Sequence, residues 1–327
     1  MKKIIFLLLT FISLNSFAAL DNNSIYLEVP LEKPMVENFT DITYFQGTSA
    51  VNTPVKLNLD ILQPVEAKKK KLPLVVFVKG GGFVSVLKER YLQQRLKIAE
   101  AGYIVASVEY RTIPNGIFPQ PLEDIKAAIR FLKKNADKYG IDKDKVAIMG
   151  DSSGGYMASM VGVTNGIRKF DVGENLDENS DVNAVIDIYG LSDLTRIGEG
   201  YSEDVKKSHM SDSAPEAILI NGLSVFGTGG NITSNLNKTK EANPITYITK
   251  NTPPFLLFHG DKDTLVSIHQ TEILHKALRE KGIDSTRYVV KNAAHGGEYW
   301  VQPKIMEIVI DFLNKNLKEK KVEEGKI

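Results

Sequence analysis

The chain contains no cysteine. That absence excludes disulfides, thiol catalysis, thiolate metal sites and a lipid-modified N-terminal cysteine. It also lacks an excess of either charge: 41 Lys and Arg stand against 40 Asp and Glu, a formal net charge of +1. Net charge therefore gives no support to electrostatic binding of nucleic acid or of an anionic membrane. Internal repeats are missing, and so are long apolar runs apart from Ile4–Leu14, which is too short for a comfortable membrane span. What is present is 327 residues of ordinary globular composition, 43% hydrophobic and 25% charged. A chain of that length buries an adequate core without disulfides.

The early apolar run has the build of an export signal. Lys2 and Lys3 precede it, and Ser16-Phe17-Ala18 sets small residues at the two positions a signal peptidase reads. Cleavage is expected after Ala18, which makes 1–18 a signal peptide and the mature protein periplasmic or secreted. An uncleaved N-terminal anchor is the alternative. Cleavage leaves 39 basic against 40 acidic side chains, a formal charge of −1, and nothing that would insert stably in a membrane. A single domain is expected over 19–317, followed by a charged tail over 318–327. Oligomeric state has no signature in the sequence.

From about Leu72 to Leu317 the pattern alternates between strand-like and helix-like stretches. Leu74–Val78 is a continuous apolar run, as a strand buried on both faces of a parallel sheet requires. Tyr103–Val108, Val146–Met149, Ala184–Tyr189, Phe255–Phe258 and Arg287–Val290 read the same way, the last polar enough for a sheet edge. Between them, Leu122, Ile125, Ile129, Leu132 and Ala136 share one face of a helix predicted over Leu122–Tyr139, with Lys126, Lys133, Lys134 and Lys138 off that stripe. Pro121 suits its first turn and Gly140 its end. Further helices are predicted over Tyr156–Val163, Thr271–Lys281 and Lys304–Leu317. The order predicts an α/β fold: a mostly parallel twisted sheet with helices on both faces.

Two regions break the alternation. Period-two patches within 19–65, such as Val55, Leu57, Leu59 and Ile61, predict antiparallel strands added to one sheet edge. Residues about 191–252 are rich in Gly, Ser, Asn and Thr and weakly periodic. Insertions this long in an α/β domain are usually functional, and this one is expected as a cap above the strand ends, where ligands bind. Lys68–Lys71 reads as a solvated hairpin tip, because the run is short and has no interleaved aromatics.

Gly150-Asp151-Ser152-Ser153-Gly154 follows a predicted strand and precedes a predicted helix. That is the setting of a nucleophile elbow, a turn so tight that side chains two residues either side of the serine would collide. Ser152 is the candidate nucleophile; Ser153 lacks the flanking glycine pair. A serine needs a base. His269 and His275 lie in a predicted helix, His209 lies in the cap, and His259 ends a strand where packing explains it. His295 sits in a glycine-rich loop after the last strand and is the candidate base. The orienting acid is sought between them in the chain, in a nucleophile–acid–histidine order. Asp263 is favoured over Asp261, whose role is read as hydrogen bonding in its turn. Lys79-Gly80-Gly81-Gly82-Phe83 follows an apolar strand, and Gly81 and Gly82, with the N–H of Ser153, are candidate oxyanion donors. A phosphate loop would need a Gly-Lys-Ser/Thr ending, which is absent.

Together these motifs resemble the α/β-hydrolase superfamily, and within it the BD-FAE-like carboxylesterases near the hormone-sensitive-lipase type. The likeness runs from about Phe39 to Leu317. It includes Glu109-Tyr110-Arg111, Phe118–Asp124, Asn243–Tyr247, Pro253-Pro254-Phe255 and His259–Val266. The resemblance implies a cofactor-free, metal-independent esterase acting on short acyl chains, including acetyl or feruloyl groups on plant carbohydrates. The partner is then a small-molecule or carbohydrate ester. Lys79 departs from the family, which usually has a histidine there that braces the glycine loop, so the brace here must differ. Two other readings stay open: a serine peptidase of prolyl-oligopeptidase type, and a non-catalytic binding protein on a hydrolase scaffold.

Overall fold

The computed structural model describes residues 24–225 and 229–318. The expected signal peptide and the tail beyond Lys318 lie outside them. Residues 24–32 carry no strand or helix and belong to a unit separate from the rest. From Lys33 the chain runs through β1 (Val36–Thr48), β2 (Pro54–Pro64), β3 (Leu72–Val78), α1 (Leu92–Glu100), β4 (Ile104–Val108), α2 (Gln120–Lys134), α3 (Ala136–Tyr139), β5 (Ile141–Asp151) and α4 (Ser153–Val163). It continues through β6 (Ala184–Ile188), α5 (Glu203–His209), α6 (Pro215–Asn221), α7 (Leu236–Glu241), β7 (Phe255–Gly260), α8 (His269–Glu280), β8 (Ser285–Val290) and α9 (Pro303–Leu317).

The strands form one sheet in the order β1-β2-β4-β3-β5-β6-β7-β8. β1 and β2 are antiparallel and sit at one edge, and the other strands run parallel. β8 closes the opposite edge, as its polarity predicts. Strand periodicity divides the side chains of β3 between two cores. Leu74, Val76 and Val78 pack with Leu122, Ile125 and Ile129 of α2, α4, and Leu274 of α8. Val75 and Phe77 pack with Ile98 of α1 and with Met306, Val309 and Leu313 of α9. All seven residues of β3 are buried, so the apolar run marks the centre of the sheet. This is the α/β-hydrolase architecture.

Three local expectations need correction. The helix predicted over Leu122–Tyr139 is two helices. The break falls at Asn135, whose backbone leaves the helical region at φ −99° and ψ 22° while its N–H and its side-chain amide both donate to the Phe131 carbonyl, at 3.0 and 2.8 Å. Helix α3 then ends at Gly140, whose φ of 64° is the left-handed cap. Lys126 and Lys133 lie off the apolar stripe but are buried. Lys126 Nζ donates to Ser180 Oγ at 2.8 Å, and Lys133 Nζ to Asn179 Oδ1 at 2.7 Å. Finally, Lys68–Lys71 is exposed as expected but is no hairpin tip. β2 pairs with β1 and β4, whereas β3 crosses to the sheet centre. The motif residues Arg111, in the loop after β4, and Asp124, in α2, form a buried pair, Nη2 to Oδ1 at 2.7 Å.

Burial pulls the Lys126 ammonium down to about 8, against the nearby Asp171. A base whose folded pKa lies below its unfolded value holds fewer protons when folded. Stability from this group therefore rises as pH climbs from about 8 towards the unfolded value near 10.4. The expected outcome is that wild type gains roughly 1–2 kcal/mol relative to Lys126→Met between about pH 8 and about pH 9.5. Urea unfolding of both proteins across that range measures it, and parallel pH curves would contradict it.

Candidate active site

Ser152 occupies the turn between β5 and α4 with φ 54° and ψ −126°, a strained conformation for a residue with a side chain. The turn is tight enough that a Cβ on Gly150 would strike the Gly154 carbonyl, and one on Gly154 would strike the Val78 carbonyl of β3. The glycine pair is thus a steric requirement. Ser153 begins α4, where the first N–H groups have no carbonyl one turn earlier to receive them.

His295 lies in the loop between β8 and α9, and Asp263 in the turn after β7. The structure brings both to Ser152. His295 Nε2 stands 2.8 Å from Ser152 Oγ, and its Nδ1 stands 2.8 Å from Asp263 Oδ2. The backbone N–H groups of Leu265 and Val266 donate to Asp263 Oδ1 at 2.9 and 3.0 Å. Burial alone would raise the Asp263 carboxyl. Hydrogen bonds from His259, His295 and the Val266 N–H hold it instead well below the usual carboxylate range. An ionised carboxylate only accepts, so Nδ1 of His295 carries the proton and Nε2 presents a lone pair to the Ser152 hydroxyl.

Asp261, the alternative acid, does not reach His295. Its Oδ1 accepts the N–H of Asn292 at 2.6 Å, so it pins the histidine-bearing loop to the β7 turn instead of bonding within its own turn. His259 is buried, as packing predicted. Its Nε2 bonds the Val266 carbonyl at 2.9 Å, its Nδ1 meets Thr271 Oγ1 at 3.0 Å, and Nε2 also stands 3.4 Å from Asp263 Oδ2. His269 and His275 lie on α8, away from Ser152's partners, with Glu272 and Ser285 as theirs. Three aromatics around His295 had no signature in the sequence. The Tyr189 ring lies 4.6 Å from the imidazole, Trp300 lies 4.8 Å from Tyr189, and the Tyr91 and Tyr189 hydroxyls are 3.1 Å apart. They come from three separate segments, so no spacing marks them.

The glycine loop runs beside the elbow. Lys79 Nζ bonds Asp151 Oδ2 at 2.6 Å and the Gly80 carbonyl at 3.1 Å, and the Gly80 N–H donates to Asp151 Oδ1 at 3.1 Å. This is the different brace that Lys79 demands, a buried ion pair tying the loop to the residue before Ser152. The N–H of Gly81 donates to Ser153 Oγ at 3.0 Å, and Gly82 has a φ of 62° that favours glycine. A cavity of about 1000 Å³ opens over Ser152 and His295, walled by the glycine loop and by cap residues from Ser208 to Glu216. No group of three or more His, Asp or Glu among the described residues is arranged to hold a metal ion. The assembly can deprotonate a serine hydroxyl and hold a nearby anionic oxygen.

Comparison with known proteins places the chain among esterases of this fold. A family model described as BD-FAE matches residues 59–278. The curated relatives include esterase LipC of Mycobacterium tuberculosis, 29% identical over 245 residues, 73% of this chain and 56% of that protein. Esterase LipQ of the same organism is 27% identical over 261 residues, 78% of this chain and 58% of that protein. The chain thus spans rather more than half the length of these two relatives. Among solved structures, a truncated carbohydrate esterase from gut microbiota superposes with a TM-score of 0.75 at 26% identity, covering 89% of this chain and 100% of that one. A bifunctional GH43-CE protein of Bacteroides eggerthii gives 0.74 at 30% identity, covering 86% of this chain and 35% of that one.

Lys79→Met strands the Asp151 carboxylate in a buried site, and breaking such a pair costs about 3–5 kcal/mol. The double variant Lys79→Met, Asp151→Asn removes both charges but keeps an acceptor for the Gly80 N–H, and is expected to recover at least half of that loss. Urea midpoints of the two variants and wild type measure it. A double variant no more stable than Lys79→Met would show that the pair is not the brace.

Proposed function

The chain belongs to the BD-FAE family, and from that premise we propose that it is a serine carboxylesterase working through Ser152, His295 and Asp263. The observation that carries the reading is the His295 imidazole, 2.8 Å from the serine on one side and 2.8 Å from the carboxylate on the other. His295 Nε2 takes the proton as Ser152 Oγ attacks the acyl carbon. Asp263 holds the ring's tautomer and stabilises the imidazolium that forms. The tetrahedral oxygen accepts hydrogen bonds from the N–H groups of Ser153 and Gly82. Gly81 supplies a third, because a charged oxygen is a stronger acceptor than the neutral Ser153 hydroxyl that its N–H now meets. His295 then protonates the departing alcohol and activates water to release the acid. No cofactor or metal enters any step.

The esters proposed are short acyl groups, acetyl or feruloyl, on carbohydrates. Support comes from the carbohydrate esterase named among the solved neighbours and from the polar cap wall of the cavity. Export through cleavage after Ala18 is part of the same proposal, since polysaccharide esters lie outside the cell. No helix among the described residues is long and apolar enough to cross a membrane.

Wild type is expected to turn over p-nitrophenyl acetate and to be labelled by a fluorophosphonate probe. Ser152→Ala should lose labelling and drop in kcat by on the order of 10⁴–10⁶-fold. Equal rates for the two proteins would sink the assignment. For export, N-terminal sequencing of protein recovered from periplasm or medium should begin at Ala19, and a chain retained in the cytoplasm with Met1 in place would refute that part.

A further inference from the structure

The cavity above Ser152 holds far more than an acetyl group, and its walls differ in chemistry. The glycine-loop side contributes Phe83 and Leu87, whereas the cap contributes Ser208, His209, Ser213 and Glu216. Glu216 stands at the start of α6, its side chain 13% exposed. Its Oε2 is enclosed and accepts no hydrogen bond among the described residues. Its Oε1 lies 3.8 Å from His209 Nδ1, beyond hydrogen-bond reach but within ion-pair distance of a protonated imidazole. The enclosed oxygen is out of a ligand's reach, so the other oxygen and the His209 ring beside it are the polar pair that this part of the cavity wall offers.

The position of this group is set by contacts that lead back to the reacting atoms. The His209 ring stacks on Tyr201 with centroids 6.3 Å apart and planes 11° from parallel. The Tyr201 hydroxyl in turn donates to the Asp263 carbonyl at 3.2 Å. The cap wall is thereby registered against the loop that carries the proposed acid.

Resting on the ester-hydrolysis reading above, we propose that Glu216 determines specificity for the alcohol half of the ester. It accepts hydrogen bonds from neighbouring hydroxyls of a sugar-like, polyhydroxylated alcohol, with His209 beside it as a second polar contact. An alkyl acyl chain has no donor to offer, and a feruloyl ring offers a single phenol to a wall that presents both a carboxylate and an imidazole. A cationic alcohol such as choline is opposed by Arg90, which lines the same cavity.

The test compares kcat/KM for a monoacetylated methyl xyloside with that for p-nitrophenyl acetate, in wild type, Glu216→Leu and Glu216→Gln. Wild type should cleave both. The sugar-to-aryl ratio should fall about 10- to 100-fold in Glu216→Leu, the range for a lost hydrogen bond to a charged group. Glu216→Gln, which keeps one acceptor oxygen, should fall in between. A ratio is read within each protein, so partial loss of folded enzyme cancels. An unchanged ratio in both variants overturns the proposal, as does wild type that cleaves the aryl ester but no sugar ester. A loss seen on methyl ferulate or acetylcholine instead of the xyloside assigns Glu216 to a phenolic or cationic group and overturns it too. If wild type and Ser152→Ala behave alike on every ester, the underlying reading fails and the proposal with it.

Discussion

β3 and β5 lie side by side and run in the same direction, so their ends deliver two loops to a single point. Much else in the site depends on how closely those loops approach. The glycine loop after β3 and the elbow after β5 must touch through backbone, and a side chain at Gly80 or Gly154 would drive them apart. The buried contact between Lys79 and Asp151 then holds the approach, with Asp151 accepting both the ammonium and the Gly80 N–H. One carboxylate thus fixes the residue before Ser152 and the loop proposed to hold the oxyanion. A charge pair so enclosed is weak as a source of stability. Its use is geometric: the ammonium and the carboxylate define one spacing between the two loops.

The histidine side is organised by a different means. Three segments after β7 and β8 meet there, and none is a regular element. Asp261 bonds the backbone of Asn292, Trp300 Nε1 donates to the Ala294 carbonyl at 3.1 Å, and the Lys262 N–H donates to the Ala293 carbonyl at 2.9 Å. These contacts leave His295 free only to lie between Tyr189 and Asp263. Packing of rings and backbone hydrogen bonds does here what a charge pair does on the oxyanion side. The imidazole is held by neutral groups except at the one nitrogen that faces a carboxylate, which is the polarity a proton acceptor for serine requires.

How much of this was legible in the sequence follows from how each feature is encoded. Local encodings read correctly. The apolar run Leu74–Val78, the glycine pair around Ser152 and the loop glycines beside His295 each carry their reason within a few residues. Features that arise only from tertiary contact did not. Asn135 interrupts a continuous apolar stripe because its backbone, at φ −99° and ψ 22°, leaves the helical region, a local departure that periodicity does not register. Lys126 reads as a solvent-facing lysine and is buried, because Ser180, more than fifty residues away, meets its ammonium. The Tyr91, Tyr189 and Trp300 bracket is assembled from three segments with no common spacing. Lys79 is the intermediate case. Its departure from the histidine usual in the BD-FAE-like family announced that the brace had changed, yet only the fold identified Asp151 as the new partner.

The same division explains where specificity is found. Residues close to the reacting atoms answer to a fixed geometry and carry local motifs. The cap, on the reading proposed above, answers to the alcohol, and its segment is weakly periodic because α5, α6 and α7 are helices of only two turns or fewer. Such a segment is free to change its side chains without disturbing the elbow. Glu216 there neither braces the triad nor fills the apolar core; it lies in the first turn of α6, beside His209 on the cavity wall. A carboxylate and an imidazole side by side on that wall are the pair that the hydroxyls of the proposed alcohol would meet.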